Sequence, residues 1–132
     1  MKRIITIMTV ILVSAIGFGQ TDSIRGNQFE LKGKIINEIS LTPHCGYFAF
    51  GTVIEFEIIE FSDLNYKLDS IAVIFTCPEF YEDGFFEVGN TYTITVADEN
   101  QADFGWTIPN ESILIKYKLD DKLWVIKADK KE

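Results

Sequence analysis

Apolar and polar side chains alternate along most of this chain at the spacing of β-strands. Phe29, Leu31, Gly33 and Ile35 are interleaved with Glu30, Lys32 and Lys34, a period of two that marks a strand with one buried face. Gly33 within it predicts a bulge or the close crossing of another backbone. Tyr47 to Glu60 resumes as a long strand in which Val53, Ile54, Phe56, Ile58 and Ile59 are β-branched or aromatic. Ser62-Asp63-Leu64-Asn65 has the composition of a turn. Ile71-Ala72-Val73-Ile74-Phe75 is a short, unbroken apolar run and fits a strand buried on both faces. Cys77-Pro78-Glu79 ends it, because proline has no N–H to give a central ladder. Thr91 to Ala97 alternates again. Asp98 to Asn110 is mostly polar with two aromatics, Phe104 and Trp106, and reads as the longest irregular stretch. Ile113 to Tyr117 and Leu123 to Ile126 flank Asp120-Asp121, which predicts a closing hairpin. After residue 20 no helical period of convincing length occurs. Five to six antiparallel strands with closely spaced turns imply an all-β domain, a small barrel or sandwich, over residues 28–128. Residues 20–27 form a flexible polar lead, and 129–132 a frayed charged tail.

The first residues follow a different rule. Met1-Lys2-Arg3 is basic, Ile4 to Phe18 carries no charge, and Gly17 and Gly19 place small residues just before Gln20. That is the layout of a secretory signal, here residues 1–19. The apolar run is shorter than the roughly 20 residues a spanning helix needs. No second basic flank follows it. Cysteine is absent from Ser14 to Thr21, so the expected product is a secreted or periplasmic protein and not a lipoprotein, with no stable membrane insertion after cleavage.

Composition narrows the partners. With 20 acidic and 12 basic residues the net charge is −8, and loss of Lys2 and Arg3 makes it about −10. Such a surface repels phosphate backbones, so nucleic acid is not an expected partner. Eleven Phe, five Tyr and two Trp supply enough large side chains for a core in a domain this small. The expected state is a monomer.

Candidate chemistry gathers around the two cysteines, Cys45 and Cys77. An even count in an exported chain points to a disulfide. Antiparallel pairing about the turn at Ser62–Asn65 brings the start of one strand opposite the end of the next, where the two cysteines lie. Closing the loop between them is worth roughly 3–4 kcal/mol in the chain-entropy model. If the cysteines meet, His44 and Glu79 come with them, and His44, Cys45, Cys77 and Glu79 form an alternative metal set suited to zinc or copper. The paired spacing of structural zinc sites is absent, and neighbouring residues on an extended chain point apart. His44 is the sole histidine, so any nucleophile–base pair built on imidazole must use it. The acidic groups Glu79, Glu82, Asp83 and Asp98, Glu99, Asp103 lack the regular spacing of a calcium loop and read as solvated loops. Tyr47, Phe48, Phe50, Phe80, Tyr81, Phe85 and Phe86 flank the cysteines. Any of them left exposed would form an apolar patch suited to a partner.

Ile71 to Thr76 leading into Cys77, followed by Phe86-Glu87-Val88-Gly89-Asn90-Thr91-Tyr92-Thr93-Ile94, resembles the netrin-like module of metalloproteinase inhibitors. Gly51 to Glu57 is similar to that family's second strand. The resemblance spans perhaps a third of the chain and implies an OB-like five-stranded barrel. Those inhibitors chelate a protease's zinc through an amino-terminal cysteine. Here the expected mature terminus is Gln20 and the dense disulfide set is missing, so inhibition is not carried over.

The sequence thus predicts an exported, non-enzymatic domain stabilised by one disulfide and needing no cofactor. It would bind a protein or small ligand through His44, Tyr47, Phe48, Glu79, Phe80, Tyr81 and Phe85. The alternative is a metal-binding or thiol-redox protein using Cys45, Cys77 and His44. A hydrolase built from carboxylates on distant loops is a third reading, whose mark would be two close carboxylates, one with a raised pKa.

Overall fold

The structure, a computed structural model, describes residues 23–39 and 44–131. The signal at residues 1–19 lies outside them. Five strands, β1 (Gln28–Ile35), β2 (Gly51–Phe61), β3 (Ser70–Thr76), β4 (Thr91–Ala97) and β5 (Trp124–Lys130), close in the order β1-β2-β3-β5-β4. This is a small OB-like barrel. Two 3-10 segments interrupt the loops, η1 (Pro78–Phe80) and η2 (Glu111–Tyr117). Among the described residues no helix is long and apolar enough to cross a membrane.

Closure depends on β1, which pairs with β2 on one side and β4 on the other. To serve both it must bend, and the register against β2 shifts between Lys32 and Gly33. A Cβ at Gly33 would lie 3.0 Å from both the Glu57 carbonyl oxygen and the Phe56 Cβ. Glycine therefore sits where one wall of the barrel crosses closest to its neighbour, as the sequence predicts. The inward side chains are Leu31, Ile35, Ile54, Phe56, Ile71, Val73, Phe75, Tyr92, Ile94 and Val96, all buried. They are the alternating positions of their strands.

β3 is buried on both faces, as its unbroken apolar run predicts. Ala72 and Ile74 face outward and join Val53, Ile108, Tyr117 and Trp124 in a second cluster. η2 lies over this outer face of β2 and β3. Ile113 to Tyr117 is therefore not a strand. The Asn110 side chain accepts the Val53 N–H and donates to the Val53 carbonyl, both at 2.9 Å, which anchors the segment across the sheet and not along it. Its half-buried Ile113 and Leu114 and buried Tyr117 pack on the outer cluster. Tyr117 follows Leu114 at the three-residue repeat of a 3-10 turn. Lys118, at φ 47°, turns the chain out of it.

The predicted hairpin about Asp120-Asp121 is likewise absent, since β5 pairs along β4. Against β3 it runs parallel and pairs at Ile74↔Trp124 alone, where an all-antiparallel sheet was expected. β5 reaches Lys130, so Asp129 and Lys130 belong to the sheet and not to a tail. β2 begins at Gly51, leaving Tyr47 to Phe50 in the β1–β2 loop. Within the expected flexible lead, Arg25 and Asn27 are hydrogen-bonded to the loop after β4 through Gln101, Ala102 and Asp98.

Candidate functional site

The end of the barrel where β2 begins and β3 stops is held by the disulfide. Cys77 takes a left-handed conformation, φ 45°, which turns the chain out of β3 and into η1 with Pro78 at its first position. Its N–H donates to the Phe50 carbonyl at 3.0 Å. Cys45 is bonded to Cys77 with their Cα atoms 5.6 Å apart. The Cys45 N–H donates to a Glu79 carboxylate oxygen. The β1–β2 and β3–β4 loops are thus joined covalently and by hydrogen bonds. A parallel bridge between Phe50 and Thr107 ties the loop after β4 to the same rim.

This rim divides the predicted binding residues into two groups. Tyr47 is fully exposed, Phe48 is 68% exposed and Phe80 79%, with His44 also facing water. The Phe48 ring lies edge-on to Phe50. Tyr81 and Phe85 instead belong to a stopper inside the barrel mouth. Their ring centroids lie 4.7 Å apart in a tilted pair, Tyr81 lies 5.5 Å from Phe75, and Phe85 lies 5.4 Å from Tyr92. Phe86 completes the stopper against Phe75. The Tyr92 hydroxyl donates to the Phe85 carbonyl and accepts the Glu87 N–H. Burial in this stopper pushes the Tyr81 phenol above its ordinary pKa.

The sulfurs of Cys45 and Cys77 and a carboxylate oxygen of Glu79 lie within 4.8 Å of one another. One Glu79 oxygen is buried without a hydrogen-bond partner. His44 is not in this group. A metal would require both sulfurs as thiolates, whereas here they are bonded to each other, which leaves Glu79 as the lone ligand of the set. Of the acidic loops, Asp98 accepts from the Asn27 backbone and side chain, and Asp103 pairs with Arg25.

A buried carboxylate that the sequence reading missed lies elsewhere. Glu55 points outward from β2 and is covered by η2, leaving it 5% exposed. Burial pushes its pKa up, but hydrogen bonds from Lys116, Tyr117 and Asn37 and the Lys116 charge outweigh burial and hold it below the ordinary range. Burial first, and then the contact with Glu55, pushes the Tyr117 phenol up to about 12. A carboxylate held ionised between donors fastens η2 to the sheet. Among the described residues the carboxylates with a clear shift are Glu55 and Glu87, and both are lowered, the opposite of a general acid. In OB barrels the face of the second and third strands is a common ligand surface. Here η2 and Tyr117 cover it. The signal for Glu55 was one acid between Ile54 and Phe56 in an apolar strand.

Comparisons of the chain with protein-family models, with curated proteins and with solved structures find no match.

Proposed function

We propose that this protein is an exported, non-enzymatic binding domain whose disulfide-held rim contacts a protein or other ligand through Tyr47, Phe48 and Phe80. One observation carries the reading. Three large aromatic side chains stand in water on two loops that a covalent bond and the Glu79 contact hold together. Aromatic rings on a constrained loop lose little entropy on binding and bury much area, which is the usual make-up of an interface anchor. Export is supported by the basic and apolar start of the chain and by a disulfide that persists in oxidising compartments. The netrin-like resemblance adds no ligand to this reading.

The test is photo-cross-linking in the cells that make the protein, with a photoreactive residue at position 48, 80 or 65. Asn65 is exposed in the turn between β2 and β3, at the end of that hairpin away from the disulfide. The reading expects a discrete adduct from 48 and 80 and none from 65. Adducts of equal yield from all three, or from none, would overturn it.

A second reading, a metal or thiol-redox site, is favoured only by the unpartnered Glu79 oxygen beside the sulfurs. Thiol titration of the exported protein decides between them. No free thiol supports the binding domain, and two free thiols with retained metal support the second reading.

A further inference from the structure

β5 has an unequal pair of edges. On one side it follows β4 from Trp124 to Lys130, while on the other it meets β3 at a single position, Ile74↔Trp124. The Lys131 N–H donates to the Thr91 carbonyl at 2.8 Å. In an antiparallel ladder, alternate residues exchange hydrogen bonds with the partner, so Asp129 and Lys127 bond to β4 in the same way. Ala128 and Lys130 then turn their backbone N–H and C=O groups the other way. No described strand pairs with them there. The space on that side is an open groove of about 770 Å³ between the end of β5 and the loop from Phe80 to Glu87.

The groove's charge identifies what fits it. Glu82, Asp83, Glu87 and Asp129 line it against Lys130 and Lys131. Lys130 is already committed, with its ammonium on the Gly84 carbonyl and Glu87. The exposed ring of Phe80 stands at the same groove and offers a face to a cation or an apolar side chain. An unpaired strand edge takes an extended segment by backbone pairing, and flanking side chains choose it.

We infer that the free edge of β5 is a docking site for an extended, lysine- or arginine-bearing segment of a partner protein, which pairs with Ala128 and Lys130 and lays its cations against Glu82 and Asp83. This goes beyond the rim reading and shares only Phe80 with it. Failure here leaves the cross-linking result at position 48 standing.

The test uses three labelled hexapeptides: one alternating lysine and valine, one alternating glutamate and valine, and the lysine peptide N-methylated at every second residue. Binding is followed by fluorescence anisotropy and by amide exchange of the whole protein. The inference expects saturable binding of the first peptide and slowed exchange at Ala128 and Lys130. Either change of peptide should weaken binding about tenfold or more, since each removes several charge contacts or backbone hydrogen bonds. Charge reversal at the exposed pair, Glu82→Lys with Asp83→Lys, should weaken the lysine peptide and leave the fold intact. Three results would overturn the inference. One is no binding, and another is equal binding of the N-methylated peptide. The third is a dimer in which the Ala128 and Lys130 amides are already slow, which would give the edge to a second copy of this chain.

Discussion

Glu55 is the residue on which packing and charge meet. It sits between two inward side chains, Ile54 and Phe56, so alternation alone assigns it to the solvent face. What buries it is η2, distant in sequence, and this is why the strand pattern shows the acid but not its role. Removing it leaves the Tyr117 hydroxyl and the Asn37 amide without their acceptor. Glu55→Ala should cost about 1–3 kcal/mol in chemical denaturation. Its folded pKa is lowered, so its share of stability is present above the unfolded carboxylate range, about 4.3, and is lost as pH falls through the folded value. The variant should therefore show a flatter acid limb, while an unchanged limb would contradict the assignment. Glu87 acts in the same direction through Lys130, but its exposed carboxylate is screened by solvent. At the alkaline end, Tyr66 and Tyr117 are both raised to about 12. Burial is the first cause for each. Their contribution is complete below the unfolded phenol pKa of about 10 and is lost as pH rises through the folded value. Tyrosinate absorbance should show a late group that Tyr117→Phe diminishes.

At the level of elements, strands whose partners lie on one face were legible, and those shaped by distant contacts were not. β1 and β4 alternate cleanly, β3 reads as doubly buried, and Gly33 marks the bend that closure needs. Gly33→Ala is expected to lose about 1–3 kcal/mol by overpacking, because the clashing atoms are the Glu57 backbone oxygen and the Phe56 Cβ, neither of which can swing away. Thermal unfolding checks this, and a variant as stable as the parent would mean β1 is not bent as described. Ile113 to Tyr117 misleads because a short apolar run serves a strand or a helical turn equally well. The Asn110 clamp and the left-handed Lys118 decide between them, and neither shows in periodicity. The aromatic residues beside the cysteines were identified as a group. Their division into a stopper (Tyr81, Phe85, Phe86) and an exposed set (Tyr47, Phe48, Phe80) needed the barrel mouth to be in place.

For the whole molecule, the sequence indicated a disulfide-stabilised all-β domain, while strand order stayed hidden. β5 inserts between β3 and β4, a non-local pairing that no local signal encodes. The Cys45–Cys77 bond ties the two loops that flank the β2–β3 hairpin. Cys45→Ala with Cys77→Ala should lower stability by about 3–4 kcal/mol in the chain-entropy model, read by denaturant unfolding, and should leave the barrel formed because its core lies on the strands and not on the two loops. A loss near zero would mean the bond constrains little of the unfolded chain. The same double variant offers the most direct measurement of the central claim, that the bond holds an aromatic rim in place for binding. The photoreactive group is placed at position 48 in the disulfide-bonded protein and in the double variant, each first shown by its amide spectrum to be folded. The account predicts a discrete adduct from the bonded protein and a strongly reduced one from the variant. An adduct of undiminished yield without the bond, or none from either, would contradict it.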